Sequence, residues 1–170
     1  MASKIGNELR DRLAAAWLAL AALRPDVEAG EPWPLSDNFG TEPEASWGPR
    51  ETLAHVQEML PFWLGEIERV IEGATSGRAA PFGRVATDEI RLAIIERDRT
   101  LPLRELFSRI EAAVQRIAPR LAELDDAEIA GVGEHPRLGP MTVGQILERF
   151  VCGHLEEHGA QLREVITRAS

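Results

Sequence analysis

The sequence predicts an all-α protein that folds as a four-helix bundle. Leucine, alanine, glutamate and arginine dominate the 170 residues and β-branched residues are few, which favours helix. Four long segments repeat apolar residues at the three- and four-residue spacing of a helix, and no segment of useful length alternates as a strand does. Four amphipathic helices bury their apolar faces around one core, so we expect a single domain over residues 1–170.

The first predicted helix covers about residues 3–23 and ends before Pro25. Its apolar run LAAAWLALAAL follows basic residues and could be mistaken for a secretory signal. However, Glu8 and Asp11 lie where such a signal is positive, and the larger apolar side chains recur at helical spacing. The run is also too short to span a bilayer. We therefore interpret it as a core helix.

Three further long helices are predicted, each beginning at or just after a proline. They begin near Pro49, Pro102 and Pro140. Thr142 is the expected cap of the last one, which runs almost to the end of the chain. A long loop after the first helix should pack on the bundle through Trp33 and Phe39. A short extra helix over Thr87–Asp98 lies in the second long connection, and these long connections allow a crossover topology.

Charge and cysteine content limit the classes of partner and location. Asp and Glu number 28 against 19 Lys and Arg, a net charge of -9. This balance argues against nucleic acid or an anionic membrane as partner, because both need clustered basic residues. The single cysteine, Cys152, cannot form an intrachain disulfide, which indicates a reducing and hence cytoplasmic location.

The fourth helix contains VCGHLEEHGAQLREV, in which His154 and His158 lie one turn apart. At 100° per residue both fall within roughly 20° of Leu147, near the middle of the apolar arc. Burying two unpaired imidazoles costs a few kcal/mol, and a metal ion offsets this cost because two such histidines form a bidentate nitrogen clamp. The pattern predicts a divalent metal site inside the bundle. A hydrogen-bonded pair of core histidines is the alternative.

A third ligand is expected from another helix. His55 is the only other histidine inside a predicted helix, at the edge of an apolar arc that it shares with Thr52, Met59 and Phe62. These three neighbours are possible pocket residues. Three neutral imidazoles with open positions are typical of a catalytic site, and Zn²⁺, Ni²⁺ and Fe²⁺ all accept imidazole. Whether His55 lies at the same height as the histidine pair is left open by the sequence.

The stretch HLEEH also fits the inverted zinc-protease pattern HxxEH, in which Glu157 would be the base. Only twelve residues follow His158, so a third ligand far downstream is impossible. We therefore place Glu157 on the solvated face together with Glu156.

Other polar residues have weaker signals. His135, in the HPRLG turn, could line the pocket or act as an acid or base, or be a turn histidine. Arg84 and Arg91 could meet an anionic substrate, although we interpret them as solvated surface charge. Cys152 lies about 140° from Leu147 on the helical wheel, so it faces away from the histidines and is interpreted as a packing residue.

Two stretches resemble the DinB/YfiT-like superfamily of metal-binding four-helix bundles: WGPRETLAHVQEM in the second helix, and HPRLGPMTVGQILERFVCGHLEEHGAQL leading into the fourth. The resemblance covers nearly the whole chain, including the helix order, the HPxLG turn and the paired histidines. It implies a left-handed bundle of up-up-down-down topology, often a homodimer. It also implies a metal held by His55, His154 and His158.

The resemblance further implies an activity class. Superfamily members of known activity include transferases and isomerases that depend on the low-molecular-weight thiols mycothiol, bacillithiol or glutathione. A metal-dependent thiol transferase acting on a small-molecule substrate is therefore expected, because a divalent ion with neutral ligands strongly favours a thiolate over a thiol. Two alternatives stay open: a hydrolase that uses bound hydroxide, and a non-catalytic dimeric interaction or stress-response module. No catalytic residue is predicted.

Overall fold

The computed structural model describes residues 1–37 and 46–169, and these form a mostly helical protein with one small sheet. The helices are α1 (Lys4–Ala21), α2 (Arg24–Ala29), α3 (Pro49–Thr75), α4 (Glu89–Asp98), α5 (Leu103–Glu123), α6 (Asp126–Ala130), α7 (Val143–Ile146) and α8 (His154–Ala169). A π-helical segment, Leu147–Gly153, joins α7 to α8. We call α7, this segment and α8 together the fourth helix.

Proline and capping residues set the helix starts much as the sequence predicts. Pro49 opens α3, and the Thr142 hydroxyl accepts from the Gln145 N–H at 3.2 Å at the start of the fourth helix. Pro25 lies beyond the end of α1, as predicted, and it also lies in the first turn of the short α2. The Trp33 indole N–H donates to the Val27 carbonyl at 2.7 Å and its ring packs on the core, whereas Phe39 lies outside the described residues.

Contacts near the helix ends fix the directions of the first three long helices. The Ser3 N–H donates to the Leu124 carbonyl at 2.7 Å, so the start of α1 lies at the end of α5 and the two run antiparallel. The Arg50 guanidinium donates to the Leu101 carbonyl at 3.2 Å, so α3 and α5 start at the same end of the bundle and run parallel. The long connection that contains α4 must therefore carry the chain back along the bundle.

The fourth helix runs antiparallel to α3. Its first residue, Val143, donates its N–H to the Gly131 carbonyl at 2.8 Å, and Gly131 packs against Ala74 at the end of α3. Later in the fourth helix, His154 contacts His55 near the start of α3. The order is therefore up-down-down-up, and the predicted up-up-down-down topology is wrong. The lengthwise crossover lies in the second connection, whereas α1 ends and α3 begins at the same end of the bundle.

A three-stranded sheet lies in segments that are loop and turn in the sequence-based prediction. Its strands are β1 (Ala80–Pro81), β2 (Val132–His135) and β3 (Gly139–Thr142), with β2 in the middle. β1 pairs with β2 in parallel, and β2 pairs with β3 as an antiparallel hairpin. Strands of two and four residues are too short to show an alternating pattern, which explains why the sequence did not predict them.

The long helices share one apolar core. α5 packs against α1 and α3, and the fourth helix packs against the same two. Cys152 belongs to this core: its Sγ lies 3.5 Å from the Leu9 carbonyl oxygen, and burial raises the pKa of its thiol to about 12. It is a packing residue, as predicted. Within the described part of the chain, no helix is both long enough and apolar enough to cross a membrane.

Candidate metal centre and its cavity

The structure brings together three histidines from two helices. His55 of α3 and His154 and His158 of α8 place one ring nitrogen each within 4.8 Å of one another. The Nε2 atoms of His55 and His154 are 3.3 Å apart. Two nitrogens bound tetrahedrally to one zinc ion at about 2.0–2.1 Å are roughly 3.4 Å apart, so this spacing fits a shared ion. The three residues could therefore hold a metal ion.

The π-helical segment lies directly before this cluster and changes which way α8 faces. A π-helical turn contains more residues than an α-helical turn, so a wheel drawn at a constant 100° does not hold across Leu147–Gly153. His158 is buried, at 2% exposure, whereas His154 is only partly buried. Such segments are often found at functional sites, and here one separates the capped start of the fourth helix from its histidine pair.

Burial keeps the His55 and His154 imidazoles neutral. It lowers the pKa of His55 well below its ordinary value and the pKa of His154 to about 3, and the neighbouring His158 and Arg91 add to both effects. His158 Nδ1 lies 2.9 Å from the Gln161 Oε1 atom. Because a carbonyl oxygen only accepts, Nδ1 carries the hydrogen and Nε2 carries the lone pair. Neutral rings with a fixed tautomer are what a metal ion needs from histidine.

A buried ion pair lies behind His55. The Glu58 Oε2 atom is 3.8 Å from His55 Nδ1, and both carboxylate oxygens accept from the Arg84 guanidinium at 2.6 Å. Arg84 also lies over the Phe62 ring, 3.7 Å from its centroid. Burial raises the pKa of Glu58, and the Arg84 contact opposes this shift. At 3.8 Å the carboxylate is too far from Nδ1 for a hydrogen bond, so it acts on the His55 ring through its negative charge.

A cavity of about 350 Å³ opens beside His55 and His154. Trp63 and Phe150 form an aromatic wall, with parallel rings 4.3 Å apart. Four arginines also line it: Arg84, Arg91, Arg137 and Arg149. No aspartate or glutamate is among the described residues of the lining. The volume suits a small molecule, and the lining is cationic and aromatic.

His135 is a further wall of this cavity. Its Nδ1 accepts from the backbone N–H groups of Arg137 and Leu138, both at 3.2 Å, so the ring hydrogen lies on Nε2. The ring stacks on Phe150, and it approaches Gly83 so closely that a Cβ there would lie 2.8 Å from Nε2. Burial and nearby arginine charges lower the pKa of His135. The residue is therefore a neutral donor, and it lies on the cavity wall, one of the positions that the sequence suggested for it.

The family model of the DinB superfamily matches residues 7–162. The chain belongs to the DinB superfamily. The match extends from α1 into α8 and includes all three clustered histidines. Neither the curated proteins nor the solved structures gave a match. Superfamily membership and the histidine cluster are together compatible with metal binding.

Several residues of this DinB-superfamily protein lie elsewhere than the sequence suggests. Thr52 and Met59 are fully buried and are not among the described residues that line the histidine cavity. Phe62 lines a separate cavity of about 610 Å³, which shares Arg84 with the first. The interpretation of Arg84 and Arg91 as solvated surface charge is wrong, because Arg91 is only 4% exposed and both line the histidine cavity.

Three charged residues of the site were not predicted. Glu58 follows His55 by three positions and so shares its helix face, a signal that the sequence did contain. Arg137 comes into place through the β2–β3 hairpin, and Arg149 through the π-helical segment. Neither element has a sequence signature strong enough to predict, so these two arginines could not be assigned to the cavity.

Proposed function

We propose that this protein is a divalent-metal enzyme that transfers a low-molecular-weight thiol to an electrophilic small molecule. The observation that carries the proposal is that the histidine cluster opens into the cavity, because His55 and His154 both line it. Structural zinc sites are closed by four protein ligands, whereas catalytic sites keep an open position. Among the described residues, the group that could hold an ion consists of the three histidines alone.

The donor set fits Zn²⁺, Ni²⁺ or Fe²⁺, since each accepts imidazole. When bound to neutral ligands, such an ion would favour the thiolate form of a thiol in the cavity. The residues of the chain hold and orient the nitrogens. Gln161 fixes the His158 tautomer, and the Glu58 carboxylate places a negative charge 3.8 Å from the outer nitrogen of His55.

The cavity lining favours thiol transfer over hydrolysis. Hydrolysis needs a general base beside the attacking water, and the described lining contains no carboxylate. His135 Nε2 already carries a hydrogen and cannot accept one there. A cationic lining instead stabilises an anionic sulfur. In the proposed reaction the thiol loses its proton to solvent. Its sulfur then forms a bond to an electrophilic carbon, and the bond from that carbon to a leaving group such as halide breaks, so that the leaving group departs as an anion with the bonding electron pair. The open cavity also argues against a purely non-catalytic module.

Elemental analysis tests the first requirement of the proposal, that the histidines bind a divalent metal ion. Protein purified without an affinity tag or added metal should contain near-stoichiometric Zn, Ni or Fe. The double variant His154→Ala, His158→Ala should lose it, and Glu157→Ala, an exposed change on the same helix, should keep it. The loaded protein should then accelerate the conjugation of glutathione or cysteine to a chromogenic aryl halide. Wild-type protein that stays metal-free after incubation with excess Zn²⁺ and Ni²⁺ would overturn the proposal.

The homodimer implied by the resemblance stays a prediction. Sedimentation equilibrium of the metal-loaded protein over a range of concentrations tests it directly. A single species of monomer mass at all concentrations would contradict it.

A further inference from the structure

We infer that the molecule entering the histidine cavity bears an oxyanion group, and that Arg137, Arg149 and the His135 Nε2–H group bind this oxyanion. The reacting end of the molecule would then face His55 and His154. This inference deepens the proposed function, on which it rests for the reaction itself. The binding of the oxyanion follows from the cavity lining.

The charge of the cavity contrasts with the charge of the chain. The whole chain carries a formal charge of -9, so an anion gains nothing from the average surface. Four of the 12 described lining residues are nevertheless arginines and none is acidic. A concave site lined by one sign of charge concentrates its field on whatever enters. A neutral or cationic ligand would not use this arrangement.

Two of the four arginines are already engaged in shaping the cavity. Arg84 makes its two-oxygen contact with Glu58. Arg91 is buried, donates to the Ala86 carbonyl at 2.6 Å and lies over the Trp47 ring at 5.3 Å. These contacts hold the guanidinium groups in the wall. They leave the recognition of an incoming anion mainly to the other two arginines.

Arg137 and Arg149 differ from that pair. Both side chains are exposed, and neither forms an ion pair with another residue in the described ranges. The Arg149 guanidinium lies 5.6 Å from the Phe150 ring centroid, on the aromatic wall of the cavity. An arginine fork matches the two oxygens of a carboxylate or phosphate. These two side chains therefore offer donors to a ligand without first breaking an internal ion pair.

His135 supplies a third donor of a different kind. Two backbone N–H groups occupy its Nδ1, which fixes the hydrogen on Nε2. The same turn carries Arg137, so one short hairpin presents a neutral N–H group and a cation together, and Arg149 comes from the fourth helix. An oxyanion has enough lone pairs for all three.

Equilibrium titrations of the protein with succinate, inorganic phosphate and neutral succinamide test the inference. Trp63 lines the cavity, so its fluorescence reports occupancy, and ionic strength is held constant with sodium chloride. Succinate or phosphate should give a saturable change that succinamide does not. Arg137→Gln and Arg149→Gln should each weaken binding by about tenfold or more, and the exposed Arg116→Gln of α5 should not. Whichever anion binds more tightly identifies the oxyanion as carboxylate or phosphate.

The same titrations after chelation separate this inference from the proposed function. Anion binding that persists in metal-free protein and still depends on Arg149 supports the inference, even if elemental analysis finds no metal. Binding that vanishes with the metal and ignores both arginine substitutions would overturn it, because the ion alone would then be the anion receptor. Equal binding of succinamide, or no saturable change with either anion, would overturn it as well.

Discussion

Two parts of the same bundle bury different kinds of side chain. The buried residues of α1 and α5 are all apolar or glycine: Gly6, Leu9, Leu13, Ala16, Leu20, Leu103, Leu106, Phe107, Ile110, Ala113, Val114, Ile117 and Leu121. Helix α3 buries Glu51, Thr52, His55, Glu58 and Glu66 among its apolar residues. Burying one large apolar side chain contributes about 1.5–3 kcal/mol, whereas a buried polar group contributes little even when hydrogen-bonded. The α1–α5 half therefore stabilises the fold, and α3 gives up stability to carry the site.

The buried carboxylates of α3 are tolerated because each has a specific partner. Glu51 pairs with Arg99 at 3.0 Å, and Glu58 pairs with Arg84. Glu66 accepts from the Gly83 N–H. A buried ion pair adds little net stability, but removing one partner leaves an uncompensated charge. Removing one partner of a buried pair should therefore change the free energy of unfolding far more than the intact pair contributes to it.

The largest expected effect is the loss of the Arg84 cation. Arg84→Met leaves the Glu58 carboxylate buried without its partner and should lower the free energy of unfolding by about 3–5 kcal/mol. Adding Glu58→Gln to this variant should restore most of that loss, because the buried charge is then gone. Urea denaturation of chelated protein measures both. A single-variant loss below about 1 kcal/mol would show that the pair is solvated and that the contrast with α1 is weaker than the structure indicates.

The next effect compares a core leucine with a buried histidine. Leu13 is fully buried in α1, so Leu13→Ala should cost about 2–5 kcal/mol. In chelated protein, His158→Leu should be neutral or stabilising, because an apolar side chain of similar volume replaces a polar one. Leu18→Ala is the control, since Leu18 is 67% exposed and its truncation should cost under about 0.5 kcal/mol. If metal-free His158→Leu lost as much unfolding free energy as Leu13→Ala, the buried histidine would stabilise the fold as much as the core leucine. That result would contradict the contrast between the apolar core and the site residues.

The same contrast explains what the sequence could predict. The long helices of the apolar half follow from one repeated spacing, and so does the histidine pair, because all depend on local periodicity. The helix directions depend on which ends meet, as Ser3 and Leu124 do, and local spacing does not encode that. The chemistry around the histidines depends on the hairpin and the π-helical segment. Arg84 and Arg91 looked like surface charge because charged residues are almost never buried unless they are paired.

The third prediction concerns pH. The pKa of His154 is lowered to about 3 in the folded state against 6.5 for the free side chain, so the unfolded chain binds more protons between these values. Its contribution to stability is fully present above pH 6.5 and is lost as pH falls. The stability difference between wild type and His154→Gln, measured in chelator at pH 6.5 and at pH 5, should therefore shrink by up to about 1.4 kcal/mol per pH unit.

The apolar half provides the control for that measurement. The difference between wild type and Leu13→Ala should be constant over the same range, because no titrating group is removed. The range stops at pH 5 so that most surface carboxylates stay ionised. If the His154 difference were equally flat, the imidazole would titrate in the folded protein as it does in solvent, and its burial would not be the cause of its neutrality.

The smallest expected effect is at the surface, where α1 of the apolar half meets α8. Arg12 of α1 donates from Nε and Nη2 to the two oxygens of Glu156 on α8, both at 2.7 Å. Like the Arg84–Glu58 pair, this contact engages both carboxylate oxygens, but the side chains are 38% and 41% exposed. Solvent and salt screen such a pair, so a double-mutant cycle with Arg12→Ala and Glu156→Gln should give a coupling of only about 0.2–1 kcal/mol.

The coupling energy should decrease in 1 M sodium chloride, because salt screens exposed charges. It should also decrease on acidification, because Arg12 lowers the pKa of Glu156 and the pair is lost when the carboxylate is protonated. A coupling as large as the one expected for Arg84 and Glu58 would mean that burial is not what makes the α3 pair costly to break.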